Sequence, residues 1–229
     1  MRRLAAIWLL ASAPAFAAPL EIAAEYRLTT SGVTIGHISE VFQRKGDAYT
    51  IQSVTRSEGP LKVLLDDQLT LESSGRFVTT GLQPLEFSQR RARDSKRDIK
   101  STFDWDKGVM HTTMHGEGTQ TTLPRETQDR ISVMYQFMNL PSYGDRVVMP
   151  MATARKIEFY TYRLVEEVKL ATPAGEFQTR HYERVVTDAK QTRAEVWLAK
   201  DRFNFPVRVV FDEPRSLRLE QDLLELKAR

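Results

Sequence analysis

The side chains of this 229-residue sequence that invite a chemical reading are four histidines, a few scattered aspartates and one basic run. His111 and His115 are four residues apart, the spacing that sets two metal ligands on one face of a helix. Their segment, VMHTTMHGEG, is rich in threonine and glycine and reads as strand and turn, so the pair is expected to be exposed strand histidines. His37 and His181 have no such neighbour in sequence. Asp104, Asp106 and Asp129 are the carboxylates that would have to converge in a cleft if the protein cleaved glycans, where acid and base work together. No Gly-x-Ser-x-Gly elbow, phosphate loop or dinucleotide fingerprint occurs. No catalytic residue, metal site or cofactor is predicted.

Binding chemistry has more to draw on. Residues 89–100, QRRARDSKRDIK, carry Arg90, Arg91, Arg93, Lys96, Arg97 and Lys100 against Asp94 and Asp98. Such a run suits anionic lipid head groups or polysaccharide. It also suits a charged hairpin that guards a sheet edge from aggregation, the reading favoured by the interrupting aspartates. Phe87, Phe103, Trp105 and Trp197, with Met134 and Met138, are the candidate lining of a pocket for an apolar ligand, and ordinary core is the competing fate of each.

These residues need elements to hold them. Turn signals recur at Ser31-Gly32, Lys45-Gly46-Asp47, Ser74-Gly75, Asp106-Lys107-Gly108, His115 to Gly118, Pro173-Ala174-Gly175 and Asp212-Glu213-Pro214. Between them the chain alternates: Ile99, Ser101, Phe103 and Trp105 fall on one face, Lys100, Thr102 and Asp104 on the other, and Leu217, Leu219 and Leu223 oppose Arg218, Glu220 and Asp222. The prediction is a mainly β protein of about a dozen antiparallel strands, too many for a flat open sheet, and so strongly curled or an open barrel. One segment breaks the pattern. Ile131, Met134, Tyr135 and Met138 recur at helical spacing, with Asp129 placed to cap the start and Pro141 the stop. A short helix over about 129–139 is expected to cover the concave face, with the space beneath it partly hollow, and Asp129-Arg130 to form a buried pair fixing it to the sheet. Residues 139–154 are the least periodic and read as a join between sub-sheets.

The N-terminus, MRRLAAIWLLASAPAFAAP, has a basic start, a short apolar run and small residues at Ala15 and Ala17: a secretory signal peptide cut after Ala17. The apolar run is too short for a transmembrane anchor. Residues 18–229 are read as one curled domain. There is no cysteine for lipid attachment or for disulfides, which predicts a soluble periplasmic protein. The formal charge of +3 includes Arg2 and Arg3, so the mature chain is nearly neutral and no nucleic-acid partner is expected. A monomer is anticipated.

SSGRF at 73–77, GLQPLEF at 81–87, STFDW at 101–105, LPRETQDRIS at 123–132, TPAGEFQT at 172–179 and EVWLAKDRFNFPVRV at 195–209 resemble, in order, the motifs of the domain-of-unknown-function 3108 family. That resemblance implies an exported protein of bacteria with an outer membrane; the family's function is unsettled, so it supplies no catalytic residues to carry over. The segment EVWLAKDRFNFPVRVVF is also similar to the closing hairpins of periplasmic lipoprotein carriers, whose curled sheets cup a hydrophobic cavity. The expectation is a non-enzymatic envelope protein that binds a lipid or lipoprotein segment in its curl. The alternatives are an interaction protein that offers a free sheet edge to an envelope partner and a cell-wall or glycan enzyme.

Overall fold

The computed structural model describes residues 19–59, 68–140, 142–212 and 218–229. The signal segment, Pro141 and Leu217 lie outside them. Fourteen strands form one antiparallel sheet: β1 (Glu21–Thr30), β2 (Val33–Lys45), β3 (Ala48–Ser57), β4 (Gln68–Val78), β5 (Gly81–Arg91), β6 (Ile99–Asp104), β7 (Val109–Met114), β8 (Glu117–Thr122), β9 (Arg146–Ala152), β10 (Ile157–Thr172), β11 (Gly175–Arg184), β12 (Arg193–Ala199), β13 (Phe205–Asp212) and β14 (Arg218–Ala228). Two meanders, β1 to β8 and β9 to β14, are joined where β1 pairs with β14. The edges, β8 and β9, do not pair with each other, so the sheet is open. The two-residue alternation that builds it is plain in β1, where Ile22, Ala24, Tyr26 and Leu28 are buried between more accessible neighbours.

This topology explains the helix. Several successive strands are joined by tight turns, such as Ser31-Gly32 and His115-Gly116, where both residues adopt positive φ. The connection from β8 to β9 must instead travel from one edge of the sheet to the other. It crosses the concave side and carries α1 (Ser132–Gln136), prolonged by a 3-10 turn at Phe137–Asn139. The helical stretch is shorter than 129–139 because Gln128 is still extended, bridging Met151 of β9 through bonds to the backbone of Pro150 and Ala152. Asp129 caps the helix: its carboxylate accepts from the amides of Ile131 (3.0 Å) and Ser132 (2.9 Å), while its own amide donates to Ser132 Oγ (2.9 Å).

One apolar stripe was expected on α1, and two are present. Ile131 and Tyr135 pack into a core cluster centred on β1 to β7, with the Tyr135 ring stacked 5.1 Å from Phe42. Val133 and Phe137 pack into a second cluster with β9 to β13, where Phe137 meets Tyr162 edge-on at 5.2 Å. The helix is therefore a plug between the two halves of the curl. Its polar side chains anchor it: Gln136 accepts from the amide of Leu82 and donates to Thr80 O, and Gln128 donates to Leu82 O. Gly81 lies at the contact with positive φ, and a Cβ there would strike the Gln136 carboxamide.

Three further expectations are corrected. Asp129 and Arg130 are not a buried pair, because Arg130 is exposed and reaches Gln89 (3.1 Å) while Asp129 is buried. Residues 146–152 are not a linker but the edge strand β9, disguised by Pro150, which an edge tolerates because the ladder there needs no amide donor. The charged hairpin at 89–100 joins β5 to β6, away from either edge.

Candidate functional site

The pairing registers define rows of side chains that run across the sheet on its helix-facing side. Ile22, Phe42, Ile51, Ser73, Phe87, Ser101 and Thr112 form one row on β1 to β7. Every member is buried, none more than 7 % exposed. Ser73 donates to Asp129 at 2.6 Å, so this row lies beneath the start of the helix. Two residues along the strands, the next row is Ala24, Glu40, Ser53, Leu71, Gln89, Ile99 and Met114. Directly opposed residues share a face, and Tyr135 and Arg130 of the helical segment bond to Glu40 and Gln89 of this row, which places it inside the curl. Here Glu40, Leu71, Ile99 and Met114 all keep accessible surface. In the row after that, Thr55, Leu69 and Arg91 do so too. Packing is complete at one level and only partial at the next, where Ala24, Ser53 and Gln89 are buried between more accessible neighbours on the β1 to β7 side. Met134 and Met138, the least buried side chains between Ile131 and Met138, pack against the same core cluster.

Glu40 is the one carboxyl in this row. It is half-buried. Ser53 Oγ donates to it at 3.0 Å and the Tyr135 hydroxyl at 3.2 Å. Desolvation pushes its pKa up to about 7, and these two hydrogen bonds restrain the rise. Burial likewise raises Asp129, against the pull of its Ser132, Ser73 and Ile131 donors. Sequence reading missed Glu40. Its signal is the alternation Ile38, Glu40, Phe42, a carboxylate in the apolar phase of a strand.

The six residues singled out for an apolar pocket do not gather in one place. Phe87 belongs to the filled row. Phe103 is buried and stacks on Trp105 at 6.2 Å, and the Trp105 indole donates to Pro84 O. Both line a shallow surface cleft of about 420 Å³ with Asp104, Asp106 and His111. Trp197 projects from the side of β12 opposite the buried Val196 and Leu198. Its ring stacks on His181 at 3.9 Å, and His181 Nε2 lies 2.9 Å from Glu195. Met134 and Met138 are half-buried on the helical segment and pack against the first core cluster, Met134 against the second as well.

The other candidates resolve into local roles. Asp104 accepts from the Lys107 amide and ammonium, bonds that hold its carboxyl below the usual range and stiffen the β6–β7 turn. Asp129 is committed to capping and is not among the residues of the Asp104 cleft. His111 lines that cleft, whereas His115 lines a second groove of about 800 Å³, so the two do not converge. Among the described residues no group of three or more His, Cys, Asp or Glu is placed to hold a metal. The larger groove takes in the β5–β6 hairpin: Lys96, Asp98 and Lys100 line it, as does Arg90, which is paired to Glu72 at 2.8 Å. Gln89, Ile99 and Met114 line it as well, so the end of the half-open row reaches this groove.

The edges differ. The peripheral strand β8, EGTQTT, is almost wholly exposed, has no proline and carries one charge, Glu117. The other, β9, contains Pro150 and is partly covered by Gln128. No described helix is long and apolar enough to cross a membrane.

No functionally curated protein matches this chain. Among solved structures it is similar to a β-barrel-like protein of domain of unknown function DUF1849 from Brucella abortus, with 10 % identity, a TM-score of 0.59, and coverage of 93 % of this chain and 99 % of that one. That likeness is one of fold. A protein described as a lipoprotein from Parabacteroides distasonis (11 % identity, TM-score 0.37, 92 % and 97 % covered) and one described as exported with a YmcC-like fold from Bacteroides fragilis (11 %, 0.33, 91 % and 96 %) superpose too loosely to bear on it. The family described as protein of unknown function (DUF3108) matches residues 25–220, nearly the whole of the sheet, and the chain belongs to that family.

Proposed function

We propose that this is a non-enzymatic protein of the bacterial envelope, exported to the periplasm, that binds an apolar ligand in the half-open end of its curled sheet. One observation carries the reading: burial falls from complete in the Ile22–Thr112 row to partial in the Ala24–Met114 row, on the face the helix covers. Partly exposed Leu71, Ile99, Met114, Met134 and Met138 give that half-open end an adaptable apolar lining, since methionine repacks around guests of varied shape. A lipid tail or the acyl chain of a lipoprotein segment has the matching chemistry. The signal-like residues 1–17 support export. Fluorescence titration with N-phenyl-1-naphthylamine tests the reading. Saturable enhancement, displaced by a dodecyl-chain amphiphile and lost in Ile99→Arg, is expected. Absence of saturable binding to the folded wild type rejects it.

A second reading has its own support in β8, whose unpaired edge is free of proline and, from Gly118 to Thr122, of charge. Such an edge accepts an added strand from an extended partner segment. Photo-crosslinking in cells from position 119 or 121 tests it, and recovery of no specific envelope protein counts against it.

A further inference from the structure

In the half-open row and the rows flanking it, the ionisable group on β2 and β3 is Glu40; the nearest cations there, Arg91 and Arg130, sit at β5, three strands away. Glu40 stands directly across from Ala24 on one side and Ser53 on the other, and Tyr135 closes over it from the helix. Each carboxyl oxygen receives one protein hydrogen bond, Oε1 from Ser53 and Oε2 from Tyr135. A carboxylate has room for about four. Tyr26, the other titratable side chain packed nearby, donates its hydroxyl to Pro206 O instead. Among the described residues no lysine, arginine or histidine is recorded in an ion pair with Glu40. The carboxyl thus has vacant acceptor positions and no cationic partner among the described residues, and its row continues to Leu71 two strands away and Ile99 four strands away. A carboxylate withdrawn from water is costly unless a cation meets it.

We infer that Glu40 is a head-group receptor, and that the ligand is an amphiphile whose polar end is a primary ammonium, its chain lying along Leu71, Ile99, Met134 and Met138. This rests on the apolar-ligand reading and adds to it the chemistry of the ligand's polar end. An ammonium supplies three donors to the open acceptor positions and the missing positive charge. A fatty acid of the same length brings a second carboxylate to a site that already holds one.

The test compares dodecylamine, 1-dodecanol and dodecanoate, each below its aggregation concentration, as displacers of N-phenyl-1-naphthylamine from the wild type and from Glu40→Gln. Expected is at least a tenfold preference for the amine over the alcohol in the wild type, and its loss in Glu40→Gln while the alcohol binds both proteins equally. Wild-type protein gives a second measurement should the variant fold poorly: the amine preference should grow from pH 5 to pH 8 as Glu40 ionises, because dodecylammonium stays charged throughout. Lysophosphatidylethanolamine against lysophosphatidylglycerol then separates a lipid amine from other amines, with preference for the first pointing to a lipid. Equal binding of amine and alcohol, or an amine preference that survives Glu40→Gln, overturns this inference and leaves the apolar-ligand reading intact. Failure of every chain to displace the probe, or of the probe to bind, removes both.

Discussion

Substituting Glu40 by Gln should remove a defined part of the pH dependence of stability. Burial raises the folded-state pKa of Glu40 from 4.5 to about 7, so the folded protein holds this proton more tightly than the unfolded chain. The resulting stabilisation is complete below about pH 4.5 and is lost as pH rises through 7. Such a displacement corresponds to roughly 3 kcal/mol at 1.36 kcal/mol per pKa unit. Water reaching the half-open row reduces this, and about 2 kcal/mol is the expected loss. Asp104, held low by Lys107, acts at more acid pH, and Asp129, raised by burial, titrates alike in both proteins and cancels in their difference. The glutamine of the Glu40→Gln variant has nothing to titrate and keeps an oxygen for Ser53 or Tyr135. Urea unfolding followed by tryptophan fluorescence at pH 5, 6, 7 and 8 measures the effect. With a slope of about 3 kcal/mol/M, the wild-type midpoint should fall by about 0.7 M more than that of Glu40→Gln between pH 5 and 8. Parallel profiles would show that Glu40 is freely hydrated and that the half-open row does not withdraw it from water.

Asp129→Ala removes the acceptor for two helix amides and Ser73, and should cost about 3–4 kcal/mol from the cap and the stranded donors; Asp129→Asn, which can still cap, should cost less than half of that in the same unfolding assay. Met134→Trp enlarges a half-buried side chain at the half-open end, and the account expects a change under 1 kcal/mol with loss of N-phenyl-1-naphthylamine binding, whereas a filled site would lose roughly 1–3 kcal/mol and keep its binding unchanged. Gly75→Ala places a Cβ 2.8 Å from the Tyr49 ring and 2.9 Å from Pro84 Cα, nearer still to the carbonyl of Gln83, and should lower stability by about 2–3 kcal/mol. Gly46→Ala, at a turn with open space around it, should cost no more than about 1 kcal/mol through its positive φ.

What was legible in the sequence follows from the range of the interactions involved. Alternation along β6 and the turn pairs are local, and they gave strand, face and connection correctly at Ser101, Phe103 and His115-Gly116. The stripe at Ile131 and Tyr135 was legible for the same reason. Its counterpart at Val133 and Phe137 was not, because helical spacing reveals a second buried side only when the partner sheet is known to wrap around. Pro150 hid β9, since a proline is compatible with a strand only once that strand is known to be an edge. The candidate site depended on non-local facts. Trp197 and Phe87 look alike as aromatic side chains in strands, yet they project into different surroundings, and the registers of seven strands were needed to bring Glu40, Leu71, Ile99 and Met114 into line. Asp222 makes the same point: assigned to the wet face of β14, it is buried in an ion pair with Arg208 at 2.5 Å.

The central claim is that the half-open end of the curl between the helix and the β2 to β7 strands is an occupied binding site in the cell. Native mass spectrometry of wild-type protein and of Ile99→Arg, each expressed with its own N-terminal segment and purified from the periplasm without detergent, tests this most directly. A discrete added mass, released on denaturation as an extractable amphiphile and missing from Ile99→Arg, is the predicted result. Ligand-free spectra for the wild type, or an added mass retained in full by Ile99→Arg, would contradict the claim.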